Sequence, residues 1–511
     1  MAFYEEDYCH DSVDQDFTID CLPLDCIVCI CKYLPVNDLG RFGSVCKLFY
    51  EASLIGFLWR HHCLSRWTFC DVQQISPGPQ RWRRYFLARR SVEASMERGR
   101  PGRDYKVKTL RGHEKDITTA YVIGGGGVNW ENPLPPLVVS LSQDNCVKAW
   151  DVSQGKPVWS LEGQGTTAMA VNNSTMELAT GGVDGSVDLW ACGEWTKTLS
   201  FKTKLGGQVL SLKFGELKTA KPLLMVYVEG SQDNDNRLEV WQLPSPLDPL
   251  AADTPDDGPP PPTLVLELWA PAHNCGDMQL SSNGLLAVPG KAGDVHIWDL
   301  TETVSVSAPS PLPPLITVDT QLPVGNLYWT SPGCLAMREG VKISYWDVRA
   351  KMESRSGRIS RDTINMYNAT REIACDSHVT AVAMVNNKIV VGDVAGQVCV
   401  YDGSSKARSS FLQRFADHKG AVTGIYADSF RVITCSKDFS IRVYCWRKDD
   451  DKVTLESKYT LLGGSVAHKT HDGFNRLLCE SSSCVGVCGS QLKCYTFTSP
   501  PLVEQKVLNM V

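Results

Sequence analysis

Chemistry in a chain needs a nucleophile with its base, an acid–base pair, a phosphate cradle or a metal-ligand set, and these 511 residues offer few candidates. There is no G-x-S-x-G, no H-E-x-x-H and no nucleotide fingerprint, and the Gly124–Gly127 run lacks the Gly-Lys-Ser/Thr end of a phosphate-binding loop. Of the 20 cysteines, Cys26, Cys29 and Cys31 cluster, as do Cys479, Cys484, Cys488 and Cys494 near His468 and His471. Neither group has the paired C-x2-C spacing of a structural zinc site, so they read as small apolar core residues, with no metal and no cofactor. One polar set has matching types: Asp144 can accept a hydrogen bond from the ring of His113, which can reach Ser140 and the indole of Trp150. A chain of that kind satisfies buried polar groups where little water enters. It describes structure, and no catalytic residue is assigned.

These residues must be positioned by strands. Val138 to Asp151, VVSLSQDNCVKAWD, has two short apolar runs around the polar turn Ser142, Gln143, Asp144 and Asn145, which reads as a β-hairpin. Upstream, Gly112-His113 completes a pattern in which Gly-His precedes one strand and Trp-Asp closes a later one, a unit of roughly 40 to 45 residues. The unit recurs in worn form to the end of the chain. Its strand-closing aromatics are Trp150, Trp190, Trp241, Trp298, Trp346, Tyr401, Tyr444 and Tyr495. The turns at Asp184, Asp294, Asp393 and Asp438 are good copies; SQDNDN before Trp241 is stretched, and the hairpin before Trp346 has shrunk to REG. Gly-His survives clearly only at His113, although His418 stands at the right distance from its next strand.

This array resembles the WD-repeat family. The resemblance implies a mainly β fold, a propeller of four-stranded blades, and a structural role for His113, Ser140, Asp144 and Trp150. Eight blades are expected, or seven if the unit near Trp346 is no true blade. Closure is expected by a splice in which Tyr105 to Leu110 supplies the outer strand of the last blade and residues 465 to 498 the other three; the tail 502 to 511 could compete for that edge. Proline-rich 244 to 263 and 309 to 314 read as surface insertions, and 351 to 362 as a basic loop.

Ahead of the array the texture is helical. Pro23 and Asp25 suit a first helical turn, and Leu22, Cys26, Ile30 and Leu34 form one apolar stripe that Pro35 stops. Asn37 or Asp38 can cap a second helix with the face Leu39, Phe42, Val45, Cys46 and Phe49, and a third carries Leu54, Leu58 and Trp59. So short a segment cannot bury three apolar stripes internally, so part of that surface should meet a partner. Leu22-Pro23, Tyr33-Leu34-Pro35, Asp38-Leu39, Val45-Cys46-Lys47 and Leu58-Trp59-Arg60 stand at spacings similar to the F-box, with mild departures at Asp25, Cys31 and Phe49. The resemblance implies adaptor binding through Leu22, Pro23, Cys26, Ile30, Leu34, Pro35, Leu39, Val45, Cys46, Leu58 and Trp59. The partner would be a Skp-type adaptor, with a cullin and a RING subunit joined through it.

The expected division is an acidic, disordered tail at 1–16, an F-box at 17–63, a helical linker at 64–104 and a propeller at 105–511. The linker is rich in arginine, RWRRYFLARRSVEASMERGRPGR, and its aromatic side is expected to pack inward. A net charge of −6 gives no signature of nucleic-acid binding, and no apolar run reaches the length of a membrane span. With no secretory or transit signal read at the N-terminus, reduced thiols in the cytoplasm or nucleus are expected.

In related F-box propellers the residue two before the closing aromatic can carry a cation that grips a phosphorylated peptide. Here those positions are Lys148, Asp188, Glu239, His296, Ser344, Cys399, Arg442 and Lys493. Lys148, Arg442 and Lys493 fall in adjacent blades of a closed ring and are the candidate substrate-binding residues, with Asp188 and Glu239 expected to repel an acidic segment. The resemblances together imply a non-catalytic substrate receptor of a Skp–cullin–F-box ubiquitin ligase; the alternative is an interaction scaffold without degradation. The substrate is an unnamed protein.

Overall fold

The computed structural model describes residues 22–66, 81–123, 137–215, 222–230, 235–244, 260–270, 278–290, 293–303, 311–320, 324–331, 333–353, 363–385, 387–403, 411–449, 452–462, 473–480 and 482–497. The acidic segment 1–16, the Gly124–Gly127 run, most of the 244–263 insertion, the greater part of the 351–362 loop, His468, His471 and the tail 502–511 lie outside them. The described residues form two compact units, one from 22 to 91 and one from 92 to 497.

The first unit is all helix: α1 (Leu24–Cys31), α2 (Val36–Gly43), α3 (Lys47–Leu54), α4 (Gly56–Arg66) and the start of α5 (Arg81–Arg98). Its elements differ from the sequence reading in three places, one being that Leu54 ends α3 while Leu58 and Trp59, expected on the same helix as Leu54, lie on α4. Pro35 itself is the N-cap of α2, with Asp38 in the first turn, because proline's fixed φ suits a helix entry and its missing amide costs nothing there. The stripe from Leu39 to Phe49 is broken at Ser44-Val45, and α3 starts afresh at Cys46, whose sulfur accepts from the Phe49 amide at 3.5 Å. The two halves still meet, since Phe42 and Phe49 stack at 4.2 Å. Ile27, Val28, Cys31, Leu39, Phe49, Ala52 and Leu58 make the core. Trp59, Cys63, Trp82, Tyr85 and Phe86 make a second cluster, where the aromatic side of α5 packs inward.

The second unit is a β-propeller of eight sheets. Blades 1 to 7 occupy residues 117–161, 166–202, 209–269, 279–319, 324–374, 379–415 and 422–460 in chain order. Blade 8 takes three strands from 476–497 and its outer strand, Tyr105–Leu110, from the start of the unit, paired in register from Tyr105 opposite Phe497 to Leu110 opposite Leu492. Closure is therefore the end-to-end splice expected above. The shrunken unit at Trp346 is a true blade, with Cys334–Glu339 and Lys342–Asp347 joined by a two-residue turn at Gly340-Val341.

Two edges are covered in a way the sequence did not announce. Ile364–Met366, from the insertion inside blade 5, adds a fifth, parallel strand beside Ile316–Asp319 of blade 4. In the proline stretch, Leu312 bridges the outer strand of blade 3, exchanging hydrogen bonds with Glu267 and Trp269 at 2.9 and 3.0 Å. Both supply partners to edges that would otherwise display free backbone groups.

Blades are tied at their inner strands by threonines. The Thr167 hydroxyl donates to the Val209 carbonyl of the next blade at 2.6 Å, Thr423 to Phe474 at 2.6 Å, and Thr380 makes the same contact with Val422. Close approach there demands glycine on the second strand, since a Cβ on Gly392 would overlap the Val422 side chain. Gly392→Ala is expected to cost about 1–3 kcal/mol through overpacking between blades 6 and 7. Chemical denaturation against the parent reads this directly, and an unchanged midpoint would mean the seam is looser than its geometry.

Candidate interaction surfaces

On α1 the inward face is Ile27, Val28 and Cys31, so of the stripe read from sequence Cys26 and Ile30 face outward while Leu22 and Leu34 pack against the core. Pro23, Cys26 and Ile30 are exposed, and Leu22 and Leu34 are half-buried. Pro35 and Val45 are also exposed, Val45 by 69%, and Cys46 is half-buried. Leu39, Leu58 and Trp59 point inward, and the Trp59 indole donates to the Ser53 carbonyl at 2.7 Å. Those three shape the unit from within. The candidate set did not include Leu24, Tyr33, Tyr50 and Phe57, all exposed, Tyr33 by 89%. Phe57 lies under the Lys32 ammonium, 4.5 Å away. Adding these residues, the helical unit presents apolar side chains on both sides of α1's sequence neighbourhood, a pattern that helix periodicity alone assigns to one face.

In the propeller, the residues two before the closing aromatics sit near the start of each third strand. Asp188 is buried and satisfied within its own blade, by the Lys197 ammonium at 2.8 Å and the Ser200 hydroxyl at 2.6 Å. Glu239 is fully buried and accepts from the amides of Lys204 and Leu205 and from the Trp241 indole, at 3.1, 2.9 and 2.9 Å. The expected acidic side of the ring is thus compensated internally. The sign of a residue says little about the field at a surface when donors from the next strand enclose it. Lys148 pairs with Glu162 at 2.8 Å. Arg442 and Lys493 have no ion pair or hydrogen bond among the described residues, and Arg442 Nε is buried without a partner. The Lys493 stem is buried, with the ammonium 5.9 Å from the Phe474 ring. Uncompensated cations therefore lie in blades 7 and 8.

His113 is a buried junction. One ring nitrogen lies 3.2 Å from Asp144 Oδ2, the other 2.8 Å from Ser140 Oγ, which also accepts from the Trp150 indole at 2.8 Å. Burial pulls the His113 ring below its ordinary pKa against the opposing Asp144 charge, so the ring is neutral at pH 7. Burial works against the Asp144 charge too, yet the amides of Cys146 and Glu114 and the His113 ring hold its carboxyl below the usual range. Blade 7 repeats the arrangement through His418, Asp438, Ser440 and Thr434. In blade 2, where no histidine is present, Trp190 donates to Thr180 at 3.0 Å. Asp144→Ala would strip partners from the His113 ring and two amides, with an expected loss of about 1–3 kcal/mol, measured as a lower denaturation midpoint.

The comparisons with known proteins agree with this architecture. The F-box-like family matches residues 19–65, and the WD domain, G-beta repeat family matches 409–445, a span running from the outer strand of blade 6 through the third strand of blade 7. A mouse protein, F-box/WD repeat-containing protein 15, is 25% identical over 177 residues, covering 34% of this chain and 37% of the relative. Human F-box/WD repeat-containing protein 12 is 25% identical over 131 residues, 26% of this chain and 28% of the relative. The matched stretches thus span only about a third of those relatives. Among solved structures, Sqt1 of Saccharomyces cerevisiae aligns with TM-score 0.52 at 11% identity, covering 78% of this chain and 100% of that one. Sqt1 of Chaetomium thermophilum, solved bound to the N-terminus of ribosomal protein L10, aligns with TM-score 0.53 at 13% identity over 77% and 99%. At such identities the likeness concerns the fold alone. The chain thus carries an F-box-like segment followed by an eight-bladed WD-repeat propeller, the combination for which its F-box/WD repeat-containing relatives are named.

Proposed function

We propose that this chain is the substrate-recognition subunit of a Skp–cullin–F-box ubiquitin ligase, with residues 17–63 as F-box, 64–104 as linker and 105–511 as the substrate-binding propeller. The exposed apolar side chains on helices that match the F-box-like family carry the reading. Tyr33, Val45 and Phe57 stand mostly in water and Leu24 and Ile30 are 37% exposed, on a unit whose core is already filled; burying a wholly exposed apolar side chain contributes about 1.5–3 kcal/mol, and each of these would gain in proportion to the surface it still exposes. The partner would be a Skp-type adaptor, bringing cullin and RING subunits with it. The chain itself supplies no chemistry in this scheme: holding a target raises the effective concentration of its lysines near activated ubiquitin. Arg442 and Lys493, joined by Lys148 when its pairing with Glu162 opens, would favour an acidic or phosphorylated segment of the target. The cytoplasm or nucleus would keep the free thiols reduced.

The test is capture of a purified Skp-type adaptor by the intact chain beside Val45→Asp and the double variant Leu22→Ala, Pro23→Ala. The parent is expected to bind adaptor and, in extract, cullin, with both variants weakened at least about tenfold while the propeller keeps its other partners. Absence of adaptor binding by the well-folded parent overturns the reading.

A further inference from the structure

The inner hairpin of blade 8, Arg476–Cys479 with Ser483–Cys488, sets two thiols opposite one another. Cys479 stands directly across from Cys484 in antiparallel register. Partners across a sheet share a face, and here that face is the seam with blade 7. Cys484 lies in the core formed with Ile433, Cys435 and Ile441, and Cys479 packs against the same cluster. The Glu480 amide donates to the Ser483 carbonyl at 2.9 Å, so residues 480 and 483 are a hydrogen-bonded pair. Such pairs alternate along an antiparallel ladder. Cys479 and Cys484 are therefore a non-hydrogen-bonded pair, the kind with closer side chains and Cα atoms about 4.5 Å apart. A disulfide takes Cα separations from about 4.4 to 6.8 Å, so the register brings the two sulfurs within reach at the short end of that range. Both cysteines are free, Cys479 half-buried and Cys484 buried. The third thiol of the cluster, Cys435, belongs to another sheet, where its sulfur is 3.3 Å from the Thr423 hydroxyl.

We propose, independently of the adaptor-binding reading, that Cys479 and Cys484 are the site of a reversible cross-strand disulfide that fastens the inner hairpin of the ring-closing blade. The co-reactant is a small disulfide such as oxidised glutathione. Cys479, the more open of the two, attacks one glutathione sulfur as its thiolate and expels a glutathione thiolate. The Cys484 sulfur then gives up its proton, attacks Cys479 Sγ of the mixed disulfide and expels the second. Two S–H bonds of the protein are lost and one S–S bond forms; the two glutathione thiolates take up the two protons, so one glutathione disulfide becomes two glutathione thiols. Burial and the neighbouring Cys484 hold the Cys479 thiol protonated, which makes the first attack slow and leaves the placement of the pair unchanged. Blade 8 is where the ring closes, since its outer strand, Tyr105–Leu110, comes from the other end of the propeller. The bond would keep its two inner strands together when the ring opens.

The experiment incubates the intact chain with a series of reduced-to-oxidised glutathione ratios until the thiol count stops changing, then traps free thiols with N-ethylmaleimide. Cleavage after Arg476, Glu480 and Lys493 leaves Cys479 on the peptide 477–480 and Cys484, with Cys488, on 481–493. The disulfide is thus read by mass as a linked peptide pair. In the parent that pair is expected to rise with the oxidised share and to vanish with dithiothreitol. Cys488→Ala should keep it, whereas Cys479→Ala and Cys484→Ala should each lose it. The linked parent should unfold at a higher denaturant concentration than the reduced parent, and Cys479→Ala should show no such difference between the two conditions. The linked peptides come from the parent itself, so the result stands whether or not the Cys484→Ala core tolerates its change. A parent in which Cys479 and Cys484 stay alkylated throughout overturns the proposal. So does a link from Cys479 to Cys435 or Cys488 in its place, or a linked chain that unfolds at the same denaturant concentration as the reduced one.

Discussion

Arg431→Ala is expected to lower the unfolding free energy of the propeller by about 3–5 kcal/mol, the range for removing one partner of a buried ionic contact. Arg431 begins the second strand of blade 7 and its guanidinium is almost wholly enclosed. Nε donates to Asp428 Oδ2 at 3.3 Å, Nη2 to the Glu480 carbonyl of blade 8 at 2.5 Å, and Nη1 lies 2.8 Å from the Met96 sulfur on α5. The group also sits 5.7 Å from the Tyr426 ring. One side chain thus joins two blades and the end of α5, where Tyr459 of blade 7 donates to the Met96 carbonyl. Truncation leaves Asp428 and the Glu480 carbonyl without their donor and opens a cavity. Arg431→Met keeps much of the volume and should cost less, about 1–3 kcal/mol. Denaturant midpoints for the two variants decide the matter: equal losses would assign the effect to the lost hydrogen bonds and charge, a much smaller loss for Met would assign it to packing, and no loss in either would remove Arg431 from the stability of the seam.

The parts of this architecture that were legible in the sequence are those in which one residue type recurs against strict alternation. Trp150 and its seven counterparts all lie on third strands, because a large aromatic closing a period-two run has few other places to go. The splice through Tyr105–Leu110 followed from the phase of the repeat. What could not be read depends on partners far away in the chain. Asp188 and Glu239 looked like a repulsive edge, but Lys197, Ser200 and the amides of Lys204 and Leu205 close over them, and no pattern within their own strands reports that. Ile364–Met366 is too short for any periodicity, and its pairing is set by where blade 5's insertion lands. In the helical unit the F-box spacing located the segment, yet spacing does not say which side of a short helix is inside. Leu39, Leu58 and Trp59 went to the core while Tyr33 and Phe57 stayed in water. A helix of two turns with apolar residues all round allows both choices, and the neighbouring helices make it.

Glu480→Gln is expected to stabilise the propeller increasingly as the pH rises from about 4.5 towards about 8. Burial pushes the Glu480 carboxyl up to about 8, against the opposing influence of the Arg431 charge, and its Oε2 is buried without a partner. The sign follows from linkage. A carboxyl whose folded pKa lies above its unfolded value holds its proton in the native state, so the folded form is favoured most below the unfolded value of 4.5. That advantage is lost progressively as pH climbs to about 8, where the native carboxyl must itself ionise in an enclosed place. Gln cannot ionise, so it removes this dependence while keeping the shape. A full shift of that size corresponds to roughly 4–5 kcal/mol at 1.36 kcal/mol per pKa unit. Because the residue is partly open to solvent, screening reduces the expected gain to about 1–3 kcal/mol at pH 8. The two chains should unfold at similar denaturant concentrations at pH 4.5 and diverge above it, with the variant the more stable. Parallel curves from pH 4.5 to 8 would show that Glu480 ionises in the folded chain as readily as in the unfolded one. An advantage confined to low pH would reverse the sign and place the charged carboxylate in a productive contact with Arg431.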